Sequence, residues 1–323
     1  MHEDLLPPVI AAVFGSDRRL ESVTRLKGGS KKGAYRLTLD DGFTAVLYSW
    51  EASENFWPAL PDEDPTDPFS HATGLDLFTA AHGMLTSLGV RTISAYLLDP
   101  SHDLYPADIA LVEDVRGDSL EVLLARDPAA AASTMDALAS ALASMAGHLG
   151  DRIGKVALVE RGAAPQDRSC EQVVADRALR DLADAAARVD RLGAVHDRLA
   201  AAVRSLRDAV EPRSSVGVIH GELGPDHVLV DAAGLPVLID IEGLMHFDVE
   251  WEHVFLRIRF GDHYPRLHRP GLDASRLRLY RLAQHLSLVA GPLRLLDGDF
   301  PDRDFMLDIA HHHTGEALTF LAE

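Results

Sequence analysis

The residues best suited to chemistry in this chain lie between His220 and Glu242. In VIHGELGPDHVLV (218–230), two apolar residues deliver a polar loop that holds His220, Glu222, Asp226 and His227. Val228-Leu229-Val230 and Val237-Leu238-Ile239 read as short strands around Asp231-Ala232-Ala233-Gly234, a hairpin turn. The hairpin brings His227, just before one strand, close to Asp240, just after the other. A ring nitrogen and a carboxylate meeting there can hold a divalent cation. Glu222, earlier in the loop, can orient or deprotonate a hydroxyl. His220, Asp226 and Glu242 stand close enough in sequence to support the cation or the acceptor. A bound cation, a carboxylate base and donors for a nucleotide are most of what phosphoryl transfer asks of a protein. The plain alternative is a surface hairpin with an ordinary polar loop.

A second segment points the same way. The chain has only four lysines, Lys27, Lys31, Lys32 and Lys155, and three of them fall in LKGGSKKGAYR (26–36). Glycines let backbone N–H groups approach phosphates, and lysines add point charges. Gly28, Gly29, Ser30, Lys31 and Lys32 are therefore candidate nucleotide contacts, with a basic hairpin as the plain alternative.

These segments need elements to position them. Residues 5–14 read as a short helix with its prolines in the first turn, where a missing N–H costs little. Strands are expected over 20–26, 34–39 and 43–49, then near 91–98 and 107–115, with a helix over about 71–88 between. The Pro- and acid-rich stretch 51–70 reads as a loop insertion. From 119 to 210 the pattern is helical except for a loop at 160–170. It turns to short strands over 215–241 and is mostly helical from 246, broken at Pro265–Gly271 and Gly298–Asp302. The expected architecture is α+β and two-lobed: residues 1–113 form a β-rich lobe that binds nucleotide. Residues 114–323 form a larger helical lobe with the catalytic loop and acceptor site. Clefts between lobes are where ligands bind.

Composition narrows the choice of partner. A formal net charge of −19 repels nucleic acid and anionic membranes and draws cationic ligands to acidic surfaces. No apolar run approaches the roughly 18–20 residues that span a bilayer. The N-terminus, MHEDLLPPVI, is acidic where a secretory signal is basic, so a cytoplasmic protein is expected. Cys170, the single cysteine, excludes an internal disulfide and reads as an inert thiol. Adjacent His311, His312 and His313 point in different directions on a helix and do not make a zinc site. Either a monomer or a homodimer is compatible with the sequence.

The segment His220–Asp240 resembles the signature of the aminoglycoside phosphotransferases and their choline-kinase-like relatives, His-Gly-Asp-x-x-x-x-Asn followed by Ile-Asp after a hairpin. The resemblance implies a protein-kinase-like fold and transfer of a phosphoryl group from ATP or GTP, with Mg²⁺ or Mn²⁺, to a hydroxyl of a small polar molecule. An aminoglycoside or another sugar-containing antibiotic would fit, which would make the chain a resistance enzyme. By this resemblance Glu222 takes the catalytic-base position, His227 and Asp240 take the metal positions, and His220 is a structural residue of the loop. Asp114 and Val115 fall in the hinge that offers backbone groups to adenine.

Three residues depart from the family pattern. Glu222 stands in place of Asp and His227 in place of Asn. Tyr48 occupies the third-strand position of the lysine that reaches the α and β phosphates. Either Lys31 or Lys32 substitutes from the loop, or nucleotide binding is weakened. The alternative function is a degraded kinase fold that binds nucleotide or a small ligand without transfer. Asp248 suits the N-cap of the helix that follows, with Trp251 packing behind it.

Overall fold

The computed structural model describes residues 1–27, 29–58, 64–164 and 168–322. The first strands are β1 (Leu20–Arg25), β2 (Gly33–Leu39), β3 (Thr44–Ser49), β4 (Ala95–Asp99) and β5 (Ile109–Glu113). Shorter ones follow: β6 (Gly154–Lys155), β7 (Gly217–Ile219), β8 (Val228–Val230), β9 (Pro236–Leu238) and β10 (Met245–Phe247). The first helices are α1 (Leu6–Phe14), α2 (Leu75–Ser87), α3 (Leu120–Arg126), α4 (Ala132–Gly147), α5 (Val156–Glu160) and α6 (Cys170–Arg188). They are followed by α7 (Asp190–Gly193), α8 (His196–Asp208), α9 (Val249–Phe260), α10 (Ala274–Leu295) and α11 (Arg303–Phe320).

Two compact units interleave along the chain. One consists of Met1–Phe56, His71–Ala141 and Pro225–Gly243, the other of Trp57–Ser70, Leu142–Gly224 and Leu244–Glu323. The first unit is built on a five-stranded antiparallel sheet in the order β1-β2-β3-β5-β4. Along β2 the alternation expected from the sequence is realised: Gly33, Tyr35, Leu37 and Leu39 are buried, and the residues between them are partly exposed. Strand β3, paired on both sides, is buried from Ala45 to Ser49. Leu6, Val9 and Ile10 form one face of α1 and pack on Tyr35, Leu37, Leu47 and Leu111. Burying each such side chain contributes about 1.5–3 kcal/mol. Helix α3 starts at Ser119, whose side chain accepts the Val122 N–H at 3.3 Å.

The hairpin β8–β9 belongs to this unit and is seated by backbone. Val230 N–H donates to Asp118 C=O and Leu238 N–H to Arg91 C=O, both at 3.0 Å. The seat is tight at Gly117, where a Cβ would lie 1.6 Å from the Val230 carbonyl oxygen. Only glycine fits there.

In the second unit α6, α8, α9, α10 and α11 share one apolar core. Ala175, Ala178 and Ala185 on α6 are buried there beside Leu182, and short side chains of this kind let the facing helix α10 approach closely. A small antiparallel sheet of order β6-β10-β7 lies beside them. The sequence reading has only one strand pair in this region. Strands of two or three residues carry no periodicity to read, and Met245-His246-Phe247 runs directly into α9. Among the described residues no helix is long and apolar enough to cross a membrane.

Candidate active site

The glycine- and lysine-containing loop closes the turn from β1 to β2, with Leu26 N–H donating to Ala34 C=O at 2.8 Å. Gly28 lies outside the described residues. Gly29 is left-handed (φ 83°), and a Cβ on it would come 2.9 Å from the Lys32 carbonyl oxygen. Two other carbonyls of the loop are tied down. Ser30 C=O accepts the Phe56 N–H at 2.9 Å, and Lys31 C=O accepts the Thr73 hydroxyl at 3.0 Å.

Lys32 is the centre of the arrangement. Only 7% exposed, its ammonium lies 2.7 Å from Asp240 Oδ1 and 2.7 Å from Glu242 Oε1. It also stands 5.1 Å from the centroid of the Tyr48 ring, a cation–π contact. The register explains the meeting. Ala34 on β2 pairs with Tyr48 on β3, so a residue just before β2 reaches the region a β3 side chain would occupy. Burial works against the charge of Lys32, yet Asp240 and Glu242 hold its ammonium above the ordinary lysine range. Lys32 foremost, opposed by burial and assisted by His227 and Lys31, holds the Asp240 carboxyl well below the usual carboxylate range. Burial pushes the Tyr48 hydroxyl up to about 12, against the pull of Lys32, so it is neutral at pH 7.

The hairpin brings His227 and Asp240 together, as its turn and strand lengths imply. His227 Nε2 is 3.8 Å from Asp240 Oδ2 and 3.7 Å from Asp226 Oδ2. The backbones meet as well, with Ile239 N–H donating to His227 C=O at 3.0 Å. Asp240 is left-handed (φ 57°), a conformation that Asp tolerates better than most residues. Glu242 is buried, and its Oε2 has no hydrogen-bond partner among the described residues. That orphaned oxygen belongs to the carboxylate that shares the Lys32 ammonium with Asp240, and two carboxylates are the kind of donor a hard divalent cation takes. Among the described residues no group of three His, Cys, Asp or Glu side chains holds a metal by itself. Magnesium bound through one or two carboxylates and completed by phosphate oxygens and water needs no such group.

The other candidates are placed as follows. Asp114 is engaged through its side chain, clamped by Arg36 at 2.8 and 3.0 Å; burial pushes its carboxyl up, but Arg36, Thr44 and Arg116 hold it below the usual carboxylate range. Val115 is buried beside it.

In the second unit His220 is buried and Glu222 is exposed. Glu252 on α9, which the sequence does not mark out, braces their loop. Its Oε2 accepts the Gly221 N–H at 2.8 Å. Burial pushes its carboxyl up to about 7, opposed by backbone N–H groups of Gly221, His220 and Leu223, with Glu222 adding to the rise. Nothing in the spacing of Glu242, Glu250 and Glu252 singles it out, because what distinguishes it is where α9 packs.

Asp248 does stand at the N-cap of α9, but its side chain makes no cap hydrogen bond. Its carboxylate is taken by the buried Arg276 and Tyr280, with Arg213 at 3.2 Å. Trp251 packs behind it, against Phe69, Phe247 and Tyr280. Cys170 is buried, which pushes its thiol well above the ordinary range, in keeping with an inert group.

Comparison with known proteins agrees with this layout. The model of the phosphotransferase enzyme family matches residues 22–296. No curated protein matches the chain. Among solved structures, a thermostable mutant of aminoglycoside phosphotransferase APH(4)-Ia in its apo form is 16% identical, with a TM-score of 0.65 over 99% of this chain and 98% of that one. Choline kinase LicA from Streptococcus pneumoniae is 15% identical, with a TM-score of 0.63 over 99% and 98%. A putative fructosamine-3-kinase from Thermobifida fusca is 18% identical, with a TM-score of 0.55 over 97% and 98%. These likenesses show the fold, which is protein-kinase-like: an N-terminal five-stranded antiparallel sheet followed by a largely helical region. With well over half of the chain inside the match, this protein belongs to the phosphotransferase enzyme family.

Proposed function

We propose that the protein transfers the γ-phosphoryl group of ATP or GTP to a hydroxyl of a small polar molecule. The observation that carries this reading is Lys32, whose buried ammonium is bound to both Asp240 and Glu242. Tyr48 removes the strand lysine that phosphate binding in this family calls for, and Lys32 supplies an ammonium from the neighbouring loop. That favours transfer over silent nucleotide binding.

In the proposed reaction Lys32, with Gly29 and Ser30, holds the phosphates. The backbone near Asp114 and Val115 receives the base. Glu222 takes the proton of the acceptor hydroxyl as its oxygen forms a bond to the γ-phosphorus, and the bond from that phosphorus to the bridging oxygen breaks to release the nucleoside diphosphate. Glu252 keeps the backbone on either side of Glu222 fixed. Asp240, joined by His227 or by Glu242, would hold a Mg²⁺ or Mn²⁺ ion together with phosphate oxygens and water, and the ion would supply charge neutralisation on those oxygens. ATP is a natural first choice, since APH(4)-Ia has been solved with ADP and hygromycin B. Aminoglycosides, other sugar-containing antibiotics and amino alcohols are the acceptors to try first.

The test is incubation with ATP or GTP, either metal, and a panel of hydroxylated compounds, read as a phosphate mass shift. Calorimetry that finds no nucleotide binding with either metal sinks the proposal. Where transfer is found, Glu222→Ala should lower it by at least about a hundredfold. Turnover retained in that variant removes Glu222 as the base.

A further inference from the structure

From His253 to Arg269 the chain carries four arginines and three histidines against one acid, Asp262, although its formal net charge is −19. The structure gathers part of this run. His253, 5% exposed on α9, has Nδ1 3.2 Å from the Tyr264 hydroxyl. The Tyr264 ring stands edge-on to both His253 and His268, with centroids 6.0 and 6.1 Å apart. Arg269 completes the group, and its Nη1 is shut off from solvent without a hydrogen-bond partner. Neither Arg269 nor Arg257 forms an ion pair among the described residues. The carboxylate that acts on His253 is Glu250, and it is already committed. Arg213 grips it at 2.8 and 2.9 Å, and it accepts the Asp273 N–H at 3.0 Å.

A guanidinium nitrogen left buried and unpaired is costly, and an acidic chain has carboxylates in plenty to pair it. We infer that the turn holding Tyr264, His268 and Arg269, backed by His253, binds an anionic group, a carboxylate or phosphate, on the hydroxylated acceptor. The inference rests on the kinase reading for the word acceptor. Arginine presents a planar fork that suits both groups, and the Tyr264 hydroxyl adds a donor. The cluster is also coupled to the catalytic loop. His253 directly follows Glu252, the residue bonded to Gly221, so one turn of α9 serves both the Glu222 loop and the anion site.

The test uses the full chain and calorimetry with inorganic phosphate, glycerate and glycerol 3-phosphate, with glycerol as the neutral match. The anions should bind and glycerol should not, and the tighter of glycerate and glycerol 3-phosphate identifies the anionic group. Arg269→Gln should weaken anion binding at least tenfold, and Arg269→Lys, which keeps a charge but not the fork, by less. Should Arg269→Gln fail to fold by circular dichroism, Arg269→Lys and His268→Asn carry the same comparison. Wild-type protein that binds none of the three anions, or Arg269 variants that bind them as tightly as wild type, overturns the inference. Nucleotide binding by wild-type protein, measured alongside, scores the kinase reading separately. Nucleotide without anion overturns only the anion site, and anion without nucleotide overturns only the kinase.

Discussion

Replacing Lys32 with methionine separates the role of the loop lysine in the fold from its role with nucleotide. The substitution keeps most of the side-chain volume and removes the charge. It leaves Glu242, 4% exposed, as a carboxylate whose one ion-pair partner is gone. Removing one member of a buried pair costs about 3–5 kcal/mol. The Asp240 side chain is 37% exposed, so water replaces much of what it loses and it adds little to that figure. A loss of about 3 kcal/mol in urea unfolding is expected for Lys32→Met. The double variant Lys32→Met, Glu242→Gln removes both charges and should recover most of it, to within about 1 kcal/mol of wild type. Nucleotide affinity should fall by a charge-assisted hydrogen bond, about 1.5–3 kcal/mol, or roughly 10- to 100-fold in Kd. The same change frees carboxylate oxygens from a competing ammonium. Mn²⁺ titrated without nucleotide, read by loss of free-ion paramagnetic resonance, should therefore bind Lys32→Met more tightly than wild type. A double variant no more stable than the single one refutes the ion-pair account. Nucleotide affinity within about twofold of wild type in Lys32→Met refutes the assignment of this lysine to phosphate.

Three further substitutions test how the fold and the site are held. Burial raises Glu252 from an ordinary value of 4.5 to about 7, so the folded state binds its proton more tightly than the unfolded state. Its contribution to stability is full below the unfolded value and is lost as pH rises through 7. At about 1.4 kcal/mol per pH unit that loss amounts to roughly 3 kcal/mol. Glu252→Gln keeps a carbonyl for the Gly221 N–H and cannot titrate, so its stability relative to wild type should improve by about that amount between pH 5 and pH 8. Parallel stability curves would show that Glu252 does not titrate in this range. Gly117→Ala should destabilise by about 3 kcal/mol, because its Cβ meets the Val230 carbonyl and must push away the hairpin that carries His227 and Asp240. Gly83→Ala, on α2 with nothing within 4 Å of the added carbon, should instead stabilise by up to about 1 kcal/mol.

The sequence determined the parts that local chemistry writes. Alternation over Gly33–Leu39, the prolines opening α1 and the apolar pairs flanking Asp231–Gly234 each name their element, and the hairpin length alone brings His227 to Asp240. The two-residue strand β6 and the three-residue strand β10 were not legible, since neither is long enough to show a period. Side-chain pairings across long separations were equally out of reach. That Asp248 serves Arg276 rather than its own helix end, and that Glu252 holds the backbone of Gly221, depends on where α9 packs. Lys32 is the sharpest case. The sequence shows a lysine missing from β3 and three lysines in the loop before β2, and it leaves open whether Lys31 or Lys32 compensates. Strand pairing decides it. With Ala34 set opposite Tyr48, the side chain at 32 is buried over the tyrosine ring between Asp240 and Glu242, which lie more than two hundred residues further along the chain. A contact of that kind is fixed by sheet register and by where the hairpin is seated, and neither is a property of any local stretch of sequence.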